Sequence, residues 1–376
     1  MKLLAVVLGV GAAMTPCLWD SDTLDTELRG LPDALDLVAG RWHRHSDAYY
    51  ADRVARLANK DPLSFAECDD LAVAYEHGRD RSMAVAVMAK KAAMLAATPN
   101  KEHQYRYHAN LGTFYAHEGK FDDALRELRA AIAVNPEAHF GREVFQVELI
   151  EYVAAARKDP ELWKRFSFLR HAGYKLRAFL AADGLRYAPS STRNWDEDWR
   201  GTRELDWDKA YKAVAGMLRF GGLEGPELYR ALAELFLVKR HLNLAWWALE
   251  RAIERGHPAA SLLRAGQAGI AKHWDESRSH YPKTPRPPSR QQVQEQRDAA
   301  DRWVAAFQAA EAAAIKRGQD VRSDAALRRL LDAANAEAGA ARVGGGAVAS
   351  GGVLWALPLF GGMLLIWLLL RSARGR

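Results

Sequence analysis

From about residue 18 to residue 335, apolar residues recur at three- and four-residue spacing, with alanine and leucine supplying most of the stripe. That period puts them on one face of a helix. Alternating runs of β-branched residues, the mark of a half-buried strand, are scarce. The pattern therefore predicts an all-α chain. Breakers fall at Pro62, Pro99, Pro136, Pro160, Pro189, Pro226 and Pro258. Their intervals, about 25 to 40 residues, are those of helical hairpins stacked as repeats.

The period is lost at both ends, where continuous apolar runs replace it. Residues 1–16 open with Lys2, continue with the apolar run Leu3 to Val10, and then offer the small residues Gly11 and Ala13. This reads as a secretory signal peptide, too short to span a bilayer. At the other end, Val353 to Leu370 holds 18 residues without a charge. As a helix it would extend roughly 27 Å, close to the thickness of the hydrocarbon core. Trp355 and Trp367 lie toward its ends, and Arg371, Arg374 and Arg376 follow it. Interfacial indoles and a basic flank predict a transmembrane helix with residues 371–376 in the cytoplasm. The two ends agree on a single-pass topology that places the main body outside the cytoplasm, on a cytoplasmic membrane.

Within the body, residues 105–138 read YRYHANLGTFYAHEGKFDDALRELRAAIAVNPEA. Leu111, Gly112, Tyr115, Gly119, Phe121, Ala124, Leu128, Ala131 and Pro136 stand at the offsets of a tetratricopeptide unit, which this stretch resembles. His108 stands where that pattern prefers Trp. Residues 227–258 repeat the offsets with Leu232, Ala233, Phe236, Leu242, Ala245, Leu249 and Ala252, and Arg240 stands at the expected turn glycine. A degenerate third unit, from Phe65 to about Thr98, keeps Leu71, Ala72, Tyr75, Ala84 and Met88, with Gly78 one position early. The stretches CLWD, DDLAVAYEHG, NLGTFYAHEGKFDDAL and AHFGRE together resemble exported bacterial tetratricopeptide proteins of no defined activity. The resemblance implies an α-solenoid of hairpins and a scaffold rather than a reaction.

The expected order is a signal peptide (1–16), an N-terminal helical segment (17–62), two hairpins (63–138), a helical segment with a Trp-rich insertion (139–225), a third clear hairpin (226–259), C-terminal helices around a Pro-rich linker (260–335), a Gly/Ala-rich spacer (336–352), the transmembrane helix (353–370) and the basic tail (371–376). Residues 141–185 have room for one more decayed hairpin. Trp195, Trp199 and Trp207 sit among acids in an ordered insertion. The glycine-rich stretch, apolar run and terminal arginines also fit a sorting tail that a membrane protease removes.

Charge changes this picture little. The net charge is +6, and three of the positive charges are the terminal arginines. No basic stripe is interleaved with aromatics, so nucleic acid is not an expected partner. The two cysteines, Cys17 and Cys68, can form one disulfide in an oxidising compartment if the fold brings them together. No paired-cysteine zinc motif, His-Glu-x-x-His helix, nucleophile elbow or phosphate loop occurs. The acids Asp196, Glu197 and Asp198 lack the alternation and distal Glu of a calcium loop. No catalytic residue, metal or cofactor is expected.

A hairpin array instead offers a concave face lined by the first helix of each pair. The inward offsets carry Asp69 and Glu76 in the first unit, Arg106 and Thr113 in the second, and Arg230 and Glu234 in the last. These six are the expected protein-binding residues, for a helix or extended segment of a protein or peptide. The lipid bilayer is the other expected partner, through residues 353–370. The rival expectation is an enzyme or sensor whose site lies in residues 141–225 or 260–335.

Overall fold

The computed structural model describes residues 18–23, 32–165, 167–169, 206–221, 225–280 and 288–343. Among them every regular element is a helix. The apolar run Val353 to Leu370, the segment 1–16 and Cys17 lie outside the described residues, as do Trp195 and Trp199. No described helix is long and apolar enough to cross a membrane. The chain divides at residue 338 into two units, and of the second only the helix end 339–343 is described.

After the segment Leu18–Thr23, which turns helical at Ser21, come α1 (Ala34–Ala39), α2 (Asp47–Leu57), α3 (Phe65–His77), α4 (Arg81–Ala97), α5 (Lys101–His117) and α6 (Phe121–Val134). Next are α7 (Arg142–Lys158), the short α8 (Leu162–Arg165), α9 (Trp207–Phe220), α10 (Pro226–Val238), α11 (Leu242–Glu254), α12 (Ala260–His280), α13 (Arg290–Lys316) and α14 (Asp324–Val343). Local chemistry sets the boundaries. Ser64 and Glu67 close a reciprocal capping box on α3, and Ser289 and Gln292 do the same on α13. Asn100 caps α5, Asp80 caps α4, and Pro226 occupies the first turn of α10.

The helices pack as antiparallel pairs, α3 with α4, α5 with α6, α7 with α9, and α10 with α11. Each pair touches the next through α4 and α5, α6 and α7, and α9 and α10. α2 leans on α3, and α12 continues from α11. One close approach requires glycine. A Cβ on Gly112 would meet Leu128 Cγ at 2.8 Å and the Ala124 carbonyl oxygen at 3.2 Å, so only glycine lets α5 lie this near α6.

Among the described residues α7 packs against α9, which begins at Trp207, and most of the stretch 141–185 beyond α8 lies outside them. One element departs from the sequence reading. α14 runs to Val343, past the expected start of the spacer at residue 336. Alanine at 336, 338, 340 and 341 favours helix where the composition suggested a flexible chain.

The largest apolar cluster runs through α5 to α12 and takes in Trp19, Leu37, Val38 and Trp42. A second joins Leu18 and Leu57 to α3, α4 and α5. In a third, Trp303 and Phe307 of α13 and Leu330 and Ala334 of α14 surround Tyr49 of α2. Thus α13 comes back onto α1 and α2, near the start of the chain.

Candidate peptide-binding groove

Asn110 sits in the middle of α5, fully buried. Its Oδ1 accepts from the Trp19 amide at 2.7 Å, and its Nδ2 donates to the Trp19 carbonyl at 2.8 Å. One carboxamide thus satisfies both main-chain groups of a residue 91 positions away. The rest of Leu18–Thr23 is held in the same way. The Leu18 amide donates to the Phe220 carbonyl at 3.2 Å. The Ser21 amide donates to Asp70 Oδ1 at 2.8 Å, and its hydroxyl donates to Oδ2 at 3.0 Å. Side chains from α3 and α5 and the end of α9 therefore read a six-residue stretch of backbone.

The side chains of that stretch are read too. Trp19 is fully buried, with the Arg142 guanidinium 5.2 Å from its ring and Tyr105 packed at 6.4 Å. Arg53 of α2 donates to Asp20 at 2.7 Å and to Asp22 at 2.5 Å, and also to the Tyr49 hydroxyl at 2.7 Å. Burial opposes ionisation of Asp20, yet Arg53 and the Thr23 bonds hold its pKa below the usual value. Asp22 is pushed up by burial and by its neighbour Asp20.

A second stretch of the chain lies on α10. The Trp163 carbonyl accepts from Arg230 Nη1 at 2.7 Å, and the Phe168 amide donates to Glu227 Oε1 at 3.4 Å. His257 bonds the other oxygen of Glu227 at 2.7 Å. Here too buried polar side chains of a first helix hold main-chain groups.

The six expected groove residues are distributed as follows. Asp69 is buried, ion-paired to Lys91 at 2.5 Å and bonded by Asn110 Nδ2 at 3.2 Å. Burial lifts its carboxyl to about 6 against the pull of Lys91. Glu76 is buried between His117 at 2.7 Å and Arg81 at 3.1 Å. Thr113 is buried in α5, and half-buried Arg106 pairs with Glu102 one turn away. Arg230 and Glu234 are buried together at 3.2 Å, and burial raises Glu234 to about 7. An open groove was expected, with these residues turned to solvent. Five of the six are instead buried, because the chain's own segments and the packing of the pairs cover them. Of the six, Arg230 bonds main chain directly, and Asp69 supports Asn110.

Asn110, Asp70, Glu227 and Arg142 do the holding that the six were expected to do. The inward offset of Asn110 and the tryptophan at 19 were the available signals, but nothing local connects them.

Cys68 is a buried free thiol, 3.9 Å from Met94 Sδ, with its pKa raised by burial to about 11. Its expected partner, Cys17, lies outside the described residues. Among those residues no group of His, Cys, Asp or Glu is placed to hold a metal ion. A cavity of about 300 Å³ opens between Trp42, Trp303, Arg41, Arg219, Arg328 and Leu331. Compared with known proteins, the chain matches no family model, no curated protein and no solved structure.

Proposed function

We propose that the chain is a protein-interaction scaffold, anchored in a cytoplasmic membrane through residues 353–370, with its array of helical hairpins outside the cytoplasm. The resemblance of residues 105–138 and 227–258 to tetratricopeptide units supports the reading. One observation carries it: Asn110 grips both main-chain groups of Trp19, a residue outside any helix, at 2.7 and 2.8 Å. A buried carboxamide matched to the N–H and C=O of one residue recognises backbone, and an aromatic pocket beside it adds side-chain selection. That is the chemistry of peptide capture, and it needs no reacting group. The signal-peptide pattern at residues 1–16 and the arginines after residue 370 support the orientation.

The test is site-specific photocrosslinking in intact membranes. A crosslinker in place of half-buried Arg106, on the inner side of α5, is expected to trap a discrete protein partner. The same probe in place of exposed Arg126, on α6, is expected not to trap it. Equal labelling from both positions would remove the groove from the account.

A ligand-sensing reading of residues 260–335 also has a specific observation behind it. The cavity between Trp42 and Trp303 has indole walls and three arginines at its margin, which suits a small planar anion. Trp42 Nε1 is buried there without a hydrogen-bond partner. Binding of such an anion that Trp303→Ala abolishes would favour it.

A further inference from the structure

The occupant of the α3–α5–α7–α9 face is a piece of the same chain, and its contacts are those of a bound peptide. We infer that Leu18–Thr23 is a resident ligand, and that the same site takes a partner's segment of the same form, an apolar residue and a tryptophan followed by spaced carboxylates at the start of a helix. The inference rests on the scaffold reading and names the ligand class for its groove.

Three observations carry it. The recognition is chiefly of main chain, from Asn110, Asp70 and the Phe220 carbonyl, so a segment that turns into a helix after its tryptophan satisfies it. Side-chain selection comes from opposite charge, with Arg142 over the indole and Arg53 on both Asp20 and Asp22. The resident segment also leaves hydrogen-bonding capacity unused. Gln146, one turn beyond Arg142 on α7 and 1% exposed, finds no partner for either amide atom. Buried polar atoms without partners are costly, so a ligand that supplies them gains what the resident forgoes.

The resident's advantage is its covalent attachment. A tethered segment acts at an effective concentration on the order of millimolar, so a free peptide with equal contacts loses below that level. A competitor must make more contacts, or the resident must be weakened.

The experiment measures fluorescence anisotropy of the labelled peptide Leu-Trp-Asp-Ser-Asp-Thr with the full-length chain in detergent. Wild type is expected to bind weakly. Trp19→Ala, which removes the resident's anchor, is expected to bind at least roughly 10-fold tighter. Adding Asn110→Ala to that variant is expected to return binding to the wild-type level or below. Ser21→Pro is the milder second variant. It deletes the amide that donates to Asp70 and is expected to bind between wild type and Trp19→Ala. If Trp19→Ala loses its helical circular dichroism, Ser21→Pro carries the test. Equal, weak binding to wild type and to a folded resident-weakened variant overturns the inference. So does binding that Asn110→Ala leaves unchanged. The purified chain reports on the site alone. A peptide that fails here while Arg106 still crosslinks a partner in membranes sinks this ligand assignment and leaves the scaffold reading standing.

Discussion

Arg79 and Arg240 have φ of 62° and 61°, the left-handed region where side chains are disfavoured. Gly119 takes the same conformation at the equivalent turn after α5, with φ of 76°. The sequence marks Arg240 as standing where a turn glycine belongs. At the first unit it marks Gly78 as one position early, and there Arg79 takes up the left-handed conformation. Both arginines are exposed, so nothing packs against what a substitution would remove. Arg240→Gly is expected to stabilise the fold by about 1 kcal/mol, less the entropy glycine adds to the unfolded chain. Chemical denaturation measures it, and a loss of stability would contradict the reading of the turn.

Also at the residue scale, Glu311 of α13 is fully buried and accepts from the Ser46 amide and hydroxyl, each at 2.7 Å. It lies 2.6 Å from His45 Nδ1, whose Nε2 is 3.5 Å from Asp22. Burial works against the imidazolium, but the Glu311 bond and the Asp22 and Glu311 charges outweigh it, so the His45 pKa is raised. A raised histidine pKa stabilises the fold below the unfolded value, and the effect fades as pH rises through the folded value. The coupling between His45 and Glu311, from a double-mutant cycle with His45→Gln and Glu311→Gln, is therefore expected to be larger at about pH 5.5 than at about pH 9. A coupling that grows with pH would mean that a neutral hydrogen bond holds α13 to α2.

At the scale of the element, Gly112 decides how close α5 comes to α6. With Leu128 Cγ at 2.8 Å and backbone at 3.2 Å from a built Cβ, Gly112→Ala must push the pair apart. The expected loss is about 1–3 kcal/mol despite alanine's better helix propensity, measured by urea midpoint. Ser64→Ala removes one half of the capping box on α3 and is expected to cost about 1 kcal/mol. These features were legible because they are local: a period, a cap, a small residue facing a large one. The pairing of α7 with α9 was not, because the partner helix starts only at Trp207. Phe145 and Leu149 of α7 share an apolar cluster with Val214 and Met217 of α9, a distant stretch of chain.

At the scale of the whole molecule, the groove's contents were the least legible part. Asn110 and Trp19 lie 91 positions apart, and Ser46 and Glu311 lie 265 apart. Inward offsets name polar residues, but cannot tell a face turned to solvent from one turned to another part of the chain. Asp69, Thr113 and Glu234 are buried for that reason. The proposed membrane anchor belongs to this scale as well. Removing residues 353–376 is expected to move the chain from the membrane fraction to the soluble fraction, read by carbonate extraction and sedimentation. Retention of the shortened chain in the membrane would contradict the anchor.

The central claim is that Asn110 and its neighbours hold Leu18–Thr23 as a groove holds a peptide. Hydrogen exchange of the full-length chain, followed residue by residue, tests it most directly. The amides of Trp19 and Ser21 are expected to be protected in the wild type. Asn110→Ala is expected to speed their exchange by roughly 10-fold or more while α10 and α11 keep their protection. Exchange at residues 18–23 as fast as in an unfolded chain, before any substitution, would contradict it.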